Sequence, residues 1–180
     1  MTLSRPLLLK RAKQIRLLAM DVDGVLTGGE VVVLESGEEI KFWNAKDRLG
    51  LAIARDHVKD LSFSWITGRS STSVSRAAED LGVKHVVQGC SDKLKALQEI
   101  TGKLDLKFSQ VAFIGDDLID LPVIQAVGLS CCPADGVQEV QKRVHYVSPF
   151  PGGRGVVRDV LEFILKAQNK WDLLVRSLYL

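Results

Sequence analysis

The chain has little of several things that would steer its function. Its three cysteines, Cys90, Cys131 and Cys132, form no Cys-x-x-Cys pair and leave an odd count. A secreted disulfide scaffold is therefore excluded, the thiols read as core or loop residues, and a reducing cytoplasm is the expected compartment. His57, His85 and His145 share no spacing, so no metal site is built from them. Aromatic residues are 6% of the chain, its six Phe are scattered, and the net charge is only +2. Nucleic acid and membrane surfaces, which call for a basic stripe or patch, drop out as partners. No apolar run approaches the roughly twenty residues of a transmembrane helix. Internal repeats, low-complexity tracts and linkers are also missing, so a single domain over residues 1–180 is expected. What is present is 46% hydrophobic and 26% charged residues, enough to bury a sizeable core at this length.

The first twenty residues hold Arg5, Lys10, Arg11, Lys13 and Arg16 with no acid. Because Ile15 to Met20 is needed as the first strand, they read as a solvated basic leader rather than a transit peptide. Val31 to Leu34, a Gly-bearing polar turn from Glu35 to Glu39, and Ile40 to Trp43 read as a β-hairpin, a flap spanning residues 28–44. Strands and helices then alternate. Helices are expected near Lys46–Val58, Ser70–Leu81, Ser91–Thr101, just after Asp117, and at Val156–Lys166. Strands are expected at Leu61–Ile66, Lys84–Gln88, Gln110–Ile114, Leu129–Cys131 and His145–Val147. Nearly all-apolar strands joined by amphipathic helices imply an α/β fold, a doubly wound, Rossmann-like parallel sheet covered on both faces. The tail, residues 168–180, carries an apolar face from Trp171 to Tyr179 that suits docking on its own domain or on a partner.

The chemistry sits at the strand ends. Asp21 and Asp23 follow the first strand two residues apart, and extended geometry points such a pair to one side, with Gly24 allowing the backbone to turn. Alone they are equally an Asp-Gly turn or a divalent-cation site. Thr67, Gly68 and Arg69 follow another strand and offer a hydroxyl, an approachable amide and a guanidinium to phosphoryl oxygens. Lys93 stands in the first turn of a helix, where the helix dipole disfavours a cation. Asp116, Asp117 and Asp120 cluster at a further strand end. Capping accounts for one of these acids, but all of them beside Asp21 and Asp23 would repel without a cation.

The order Asp-Val-Asp-Gly-Val-Leu-Thr, Thr-Gly-Arg, Lys93 and Gly-Asp-Asp-Leu-Ile-Asp resembles the four motifs of the haloacid dehalogenase-like phosphohydrolases, between Leu17 and about Pro122. The resemblance implies Asp21 as the nucleophile of an aspartyl-phosphate intermediate, and Asp23 as the general acid and base. It further implies Mg²⁺ held by Asp21, the backbone carbonyl of Asp23, and Asp116, with Asp117 and Asp120 supporting those ligands. Thr67 and Gly68 would hold the transferring oxygens while Lys93 balances charge.

Between Asp21 and Thr67 the hairpin and one helix leave no room for a cap domain, so a neighbouring subunit is expected to keep water from the site. The hairpin, the approach to the first long helix, and the segment Gly152 to Arg158 are similar to the capless, tetrameric 3-deoxy-D-manno-octulosonate 8-phosphate phosphatases of lipopolysaccharide biosynthesis. This implies a homotetramer acting on a phosphorylated sugar acid, with Asn44, Lys46, Asp47, Gly68, Arg69, Lys93, Asp23 and, through its own or a neighbour's site, Arg154 contacting substrate. The chain departs from that pattern at Arg48, where glycine is usual, and at Ala52 and Ala77, where arginines are expected. Those positions leave open a nine-carbon 2-keto-3-deoxy acid as substrate. A catalytically silent oligomerisation module is the other alternative, against which Asp23 and Lys93 argue. A phospho-receiver domain is disfavoured because the strand ending at Gln88 is followed by no acid.

Overall fold

The computed structural model describes residues 4–180. In chain order its elements are α1 (Arg5–Ala12), β1 (Leu17–Met20), β2 (Val32–Val33), β3 (Glu39–Ile40), α2 (Ala45–His57), β4 (Ser62–Ile66), α3 (Thr72–Leu81), β5 (His85–Val87), α4 (Lys93–Leu104), β6 (Val111–Ile114), α5 (Leu121–Ala126), β7 (Leu129–Cys132), α6 (Gln138–Gln141), β8 (Tyr146–Val147), α7 (Val156–Ala167) and α8 (Trp171–Tyr179). Six strands form one sheet in the order β5-β4-β1-β6-β7-β8, with parallel pairing throughout.

Strand β1 is central and wholly buried. Its residues alternate between two cores, as the two-residue period of a strand requires. Leu18 and Met20 join Trp65 and the apolar faces of α2, α3 and α7. Leu17 and Ala19 face α4, α5 and Val140 on the other side. The chain runs outward from β1 to β4 and β5, then returns to β6 on the opposite flank. That reversal opens a crevice at the carboxyl ends of β1 and β6, the place where open α/β sheets bind ligands. Met20 pairs with both Trp65 and Ile114, so Asp21, Thr67 and Asp116 leave the sheet close to one level.

The hairpin is present, but its antiparallel strands are only two residues long each, β2 with β3. Its return is fixed to the sheet by Trp43, stacked on the buried Trp65 at 5.6 Å between ring centroids, the kind of aromatic contact worth about 1 kcal/mol beyond burial. Among the described residues no cap domain interrupts the sheet.

Two terminal expectations change. The basic leader is not a solvated arm: residues 5–12 form α1, which buries Leu8 and Ala12 against the same core as α7. Arg11 donates to the Gly128 carbonyl at 2.5 Å. The positive charges obscured a short apolar edge. The tail is helical and docks on its own domain through part of its apolar face. Trp171 is buried under the Arg158 guanidinium, 4.7 Å from its ring, whereas Leu173, Leu178 and Tyr179 remain exposed. No helix among the described residues is long and apolar enough to cross a membrane.

Asp47 locks α2 to α7. Its carboxylate is buried and accepts the backbone amides of Gly155 at 3.1 Å and Arg158 at 2.7 Å, satisfying donors that the first turn of α7 leaves free. Burial raises its pKa and these amides pull it back. Asp47→Ala should therefore destabilise the fold by about 1.5–3 kcal/mol, the usual cost of losing hydrogen bonds to a charged group. The measurement is the urea midpoint, with an unchanged slope m.

Candidate active site

The crevice holds the acids that the sequence placed at strand ends. Asp21 continues β1 by donating its backbone amide to the Ile114 carbonyl at 3.0 Å. Its side chain is nearly closed off from solvent. One carboxylate oxygen accepts the Val22 amide at 2.7 Å, and the other lies 3.0 Å from Lys93 Nζ. Lys93, buried in the first turn of α4, also contacts Asp120 Oδ1 at 2.7 Å. Asp120 is fully buried, and its second oxygen accepts the Asp116 amide at 3.0 Å. One ammonium thus ties the end of β1 to the loop after β6. This answers why a lysine tolerates the positive end of α4: two carboxylates hold it there.

Oxygens of Asp21, Asp116 and Asp120 lie within 4.8 Å of one another. Asp116 Oδ1 is covered and accepts no hydrogen bond among the described residues. Such an oxygen is costly unless it serves a partner. Gly24 makes the approach possible. A Cβ at its position would stand 2.1 Å from Asp116 Oδ2, and its φ of +87° suits glycine alone. Gly152 plays the same part from the far side, where a Cβ would fall 1.9 Å from the Gly24 carbonyl oxygen. The loop before α7 therefore rests directly on the loop after β1.

Burial pushes the Asp21 carboxyl up to about 6, against the pull of Lys93 and with a further push from Asp120. Burial, then the charges of Asp21 and Asp120, push Asp116 up to about 7. Lys93 is drawn down by burial, but Asp21 and Asp120 hold it above its usual range. An all-oxygen cluster with an unpartnered buried oxygen and two carboxyls reluctant to ionise fits a hard divalent cation, with Asp116, through that oxygen, and Asp21 as the side chains to hold it. Asp120 is committed to Lys93 and to backbone amides.

Other expected residues fall into place differently. Thr67 is buried at the end of β4, its hydroxyl accepting the Arg69 amide at 3.3 Å, while Gly68 is exposed at the rim. Arg69 pairs with Glu39 of the hairpin. Asp117, expected to support the ligands, instead turns outward and caps the helical turn Leu118–Asp120 through the Leu118 amide. Asp120 alone supports the cluster, because only it faces Lys93. Asp47 cannot present its carboxylate to substrate, since α7 takes both oxygens. Asn44 caps α2 through the Lys46 and Asp47 amides and donates to the Gly153 carbonyl at 3.3 Å, so its side chain is also spent on structure. Lys46 and Arg154 are exposed.

Sequence reasoning missed two residues of the hairpin. Lys41, with a side chain only 3% exposed, contacts Asp23 Oδ1 at 2.5 Å and Glu39 at 3.6 Å. A lysine inside the run Ile40 to Trp43 was the available signal. Nearby, the hairpin, α2 and α3 line an open groove of about 320 Å³, bordered among others by Lys41, Arg48, Arg76 and Ala77.

The family of haloacid dehalogenase-like hydrolases matches residues 85–159. The 3-deoxy-D-manno-octulosonate 8-phosphate phosphatase KdsC of Yersinia pestis is 43% identical, over 91% of this chain and 87% of that protein. Its counterpart from Escherichia coli strain K12 is 42% identical, over 90% and 85%. Among solved structures, the corresponding phosphatase of Moraxella catarrhalis, in complex with magnesium, phosphate and the sugar acid, superposes with a TM-score of 0.93 at 38% identity, covering 97% of this chain and 99% of that one.

The raised carboxyls set a direction for pH dependence. In the native state Asp21 and Asp116 keep protons up to about 6 and 7, whereas the unfolded chain releases them near 3.8. Their contribution to stability therefore falls as pH rises through that window and is level above it. In metal-free protein, Asp116→Asn should flatten the decline in melting temperature between about pH 4 and pH 7. Millimolar Mg²⁺ should stabilise the native chain more above this window than within it, because cation binding competes with those protons.

Proposed function

We propose that this chain, which belongs to the haloacid dehalogenase-like hydrolases and within them to the 3-deoxy-D-manno-octulosonate 8-phosphate phosphatases, hydrolyses that phosphomonoester to the free sugar acid and phosphate. The observation that carries the proposal is the convergence of Asp21, Lys93, Asp116 and Asp120 at the switch point of the sheet, with Asp23 and Thr67 beside them.

Each residue has a separate task. Asp21, positioned by Lys93 and the Val22 amide, attacks phosphorus and forms the aspartyl-phosphate. Asp23 gives a proton to the departing sugar oxygen and takes one back from the water that opens the intermediate. The Thr67 hydroxyl and Gly68 amide hold the transferring oxygens, and the Lys93 ammonium offsets the charge of a phosphate brought among carboxylates. Asp21, Asp116 and the Asp23 backbone carbonyl would hold Mg²⁺, which when bound neutralises phosphoryl charge and lets nucleophile and phosphate approach.

Substrate selection falls to the groove beneath the hairpin. The arginines expected at Ala52 and Ala77 are absent, but Arg48 precedes Ala52 by one helical turn on α2 and Arg76 adjoins Ala77 on α3. Both line that groove, with Arg48 held 3.4 Å from Asp80. Two guanidiniums there suit a carboxylate and support the phosphate of a sugar acid over a neutral sugar phosphate. The exposed Val31, Val32, Val33, Leu34, Ile40 and Phe42 give the hairpin an apolar surface that suits burial against other copies. We take the chain to be one domain in a cytoplasmic homotetramer, in which a neighbour closes the open site and Arg154 lies within reach of it.

Phosphate release from 3-deoxy-D-manno-octulosonate 8-phosphate should require Mg²⁺ and fall by at least about a thousandfold in Asp21→Asn. A wild-type chain that binds Mg²⁺ yet hydrolyses no phosphorylated keto-sugar acid would instead support the silent-module reading. The double variant Arg48→Ala with Arg76→Ala should raise KM for the sugar acid phosphate about tenfold, while leaving that for p-nitrophenyl phosphate within about twofold.

A further inference from the structure

A buried lysine demands a reason, and Lys93 has one. Lys41 is covered to the same degree, on a hairpin of two-residue strands that by themselves bury almost nothing. Ammonium groups are rarely buried so fully unless paired. Its partner is Asp23 Oδ1 at 2.5 Å, and Glu39 stands 3.6 Å away on the other side. Glu39 is itself gripped by Arg69, so a chain of charges runs from the loop after β4, through the hairpin, to the loop after β1. Trp43, stacked on Trp65, holds the hairpin base in place just beyond Lys41. The remaining oxygen of Asp23, Oδ2, is covered and accepts no hydrogen bond among the described residues.

We infer that Lys41 is a positioning residue for the general acid: by taking Oδ1 it fixes the Asp23 carboxyl group and leaves Oδ2 as the oxygen that exchanges the proton. The inference rests on the phosphatase reading above. In the first displacement the bond from Asp21 to phosphorus forms, the bond from phosphorus to the sugar oxygen breaks, and the proton on Asp23 Oδ2 passes to that oxygen. In the second, a water oxygen bonds to phosphorus, the bond to Asp21 breaks, and a proton from the water returns to Oδ2. The crevice thus uses two ammoniums for two carboxylates, Lys93 for the nucleophile and Lys41 for the acid. The second comes from the hairpin, so the flap helps build the site as well as shielding it.

The test separates proton transfer from phosphate binding through the leaving group. A sugar alkoxide needs a proton to leave, whereas p-nitrophenolate does not. In Lys41→Met, kcat for 3-deoxy-D-manno-octulosonate 8-phosphate should fall about a hundredfold, with KM within about threefold. The rapid-mixing burst of p-nitrophenolate from p-nitrophenyl phosphate, which reports formation of the phosphoenzyme, should keep its rate within about threefold. Lys41→Gln, which retains a donor for Oδ1, should recover part of the lost kcat, and carries the same comparison if the Met variant does not fold. Equal slowing of both leaving groups, or a raised KM with kcat unchanged, would overturn the inference, since either makes Lys41 a phosphate or sugar contact. A wild-type enzyme inactive on both esters would remove the phosphatase reading and this inference together. A wild-type enzyme active on both, with the Met and Gln variants indistinguishable from it, would remove only the role of Lys41.

Discussion

The Lys93 ammonium is the interaction on which the rest of the site depends. Carboxylates from Asp21 and Asp120 meet it at 3.0 and 2.7 Å in a place nearly closed to water, and without that positive charge the acids after β1 and β6 would drive their loops apart. Coulomb energies at such distances are large where water is scarce, and removing one partner from a buried group of this kind typically costs several kcal/mol. Lys93 compensates Asp21 only in part, so Asp21 and Asp116 stay poised to exchange protons for a cation. A site arranged in this way is incomplete by itself, and the missing charge is supplied with cation and phosphate.

Close backbone approach is the second constraint. Gly24 lets the loop after β1 take the Asp116 side chain of the loop after β6 directly against its backbone, and Gly152 lets the loop before α7 rest on the loop after β1, backbone to backbone. The Asp47 carboxylate holds the start of α7 on α2, which keeps the loop before α7 in place. An acid that the family resemblance suggested for substrate thus sits one layer below the site and sets the position of what touches it.

The hairpin ties the site to an exposed apolar surface. That surface carries Val31 to Leu34, Ile40 and Phe42, while Glu39 and Lys41 face inward, so one short element presents apolar side chains and holds the Asp23 carboxylate at once. A chain with no cap domain must exclude water by other means, and in the proposed oligomer this element would be shared between the site and a neighbouring subunit. Packing the flap in an oligomer would then also steady Lys41 against Asp23.

Much of this was legible in the residues. The all-apolar strands, their alternation with amphipathic helices, and acids at successive strand ends are local patterns, and they specify a parallel sheet with a phosphate and cation site at the carboxyl ends of its strands. Asp21, Asp116 and Lys93 were readable because each breaks a local preference: acids end an apolar strand, or a cation begins a helix. The roles of Asp47, Asp117 and Lys41 were not readable. Asp117 and Asp120 are three residues apart in one motif, yet one caps a turn in solvent and the other is fully buried on Lys93, a division set by which way the turn faces. Lys41 and Asp23 are eighteen residues apart, and their pairing follows from the anchoring of Trp43 on Trp65. By itself, then, the sequence determined the fold class, the end of the sheet that carries the acids, and Asp21, Lys93 and Asp116 as candidates there, because these follow from short-range periodicity and charge. Only the tertiary structure decided which acids are paired, which are spent on capping, and which lysine serves which carboxylate, because those outcomes depend on the burial of charges brought together from distant parts of the chain.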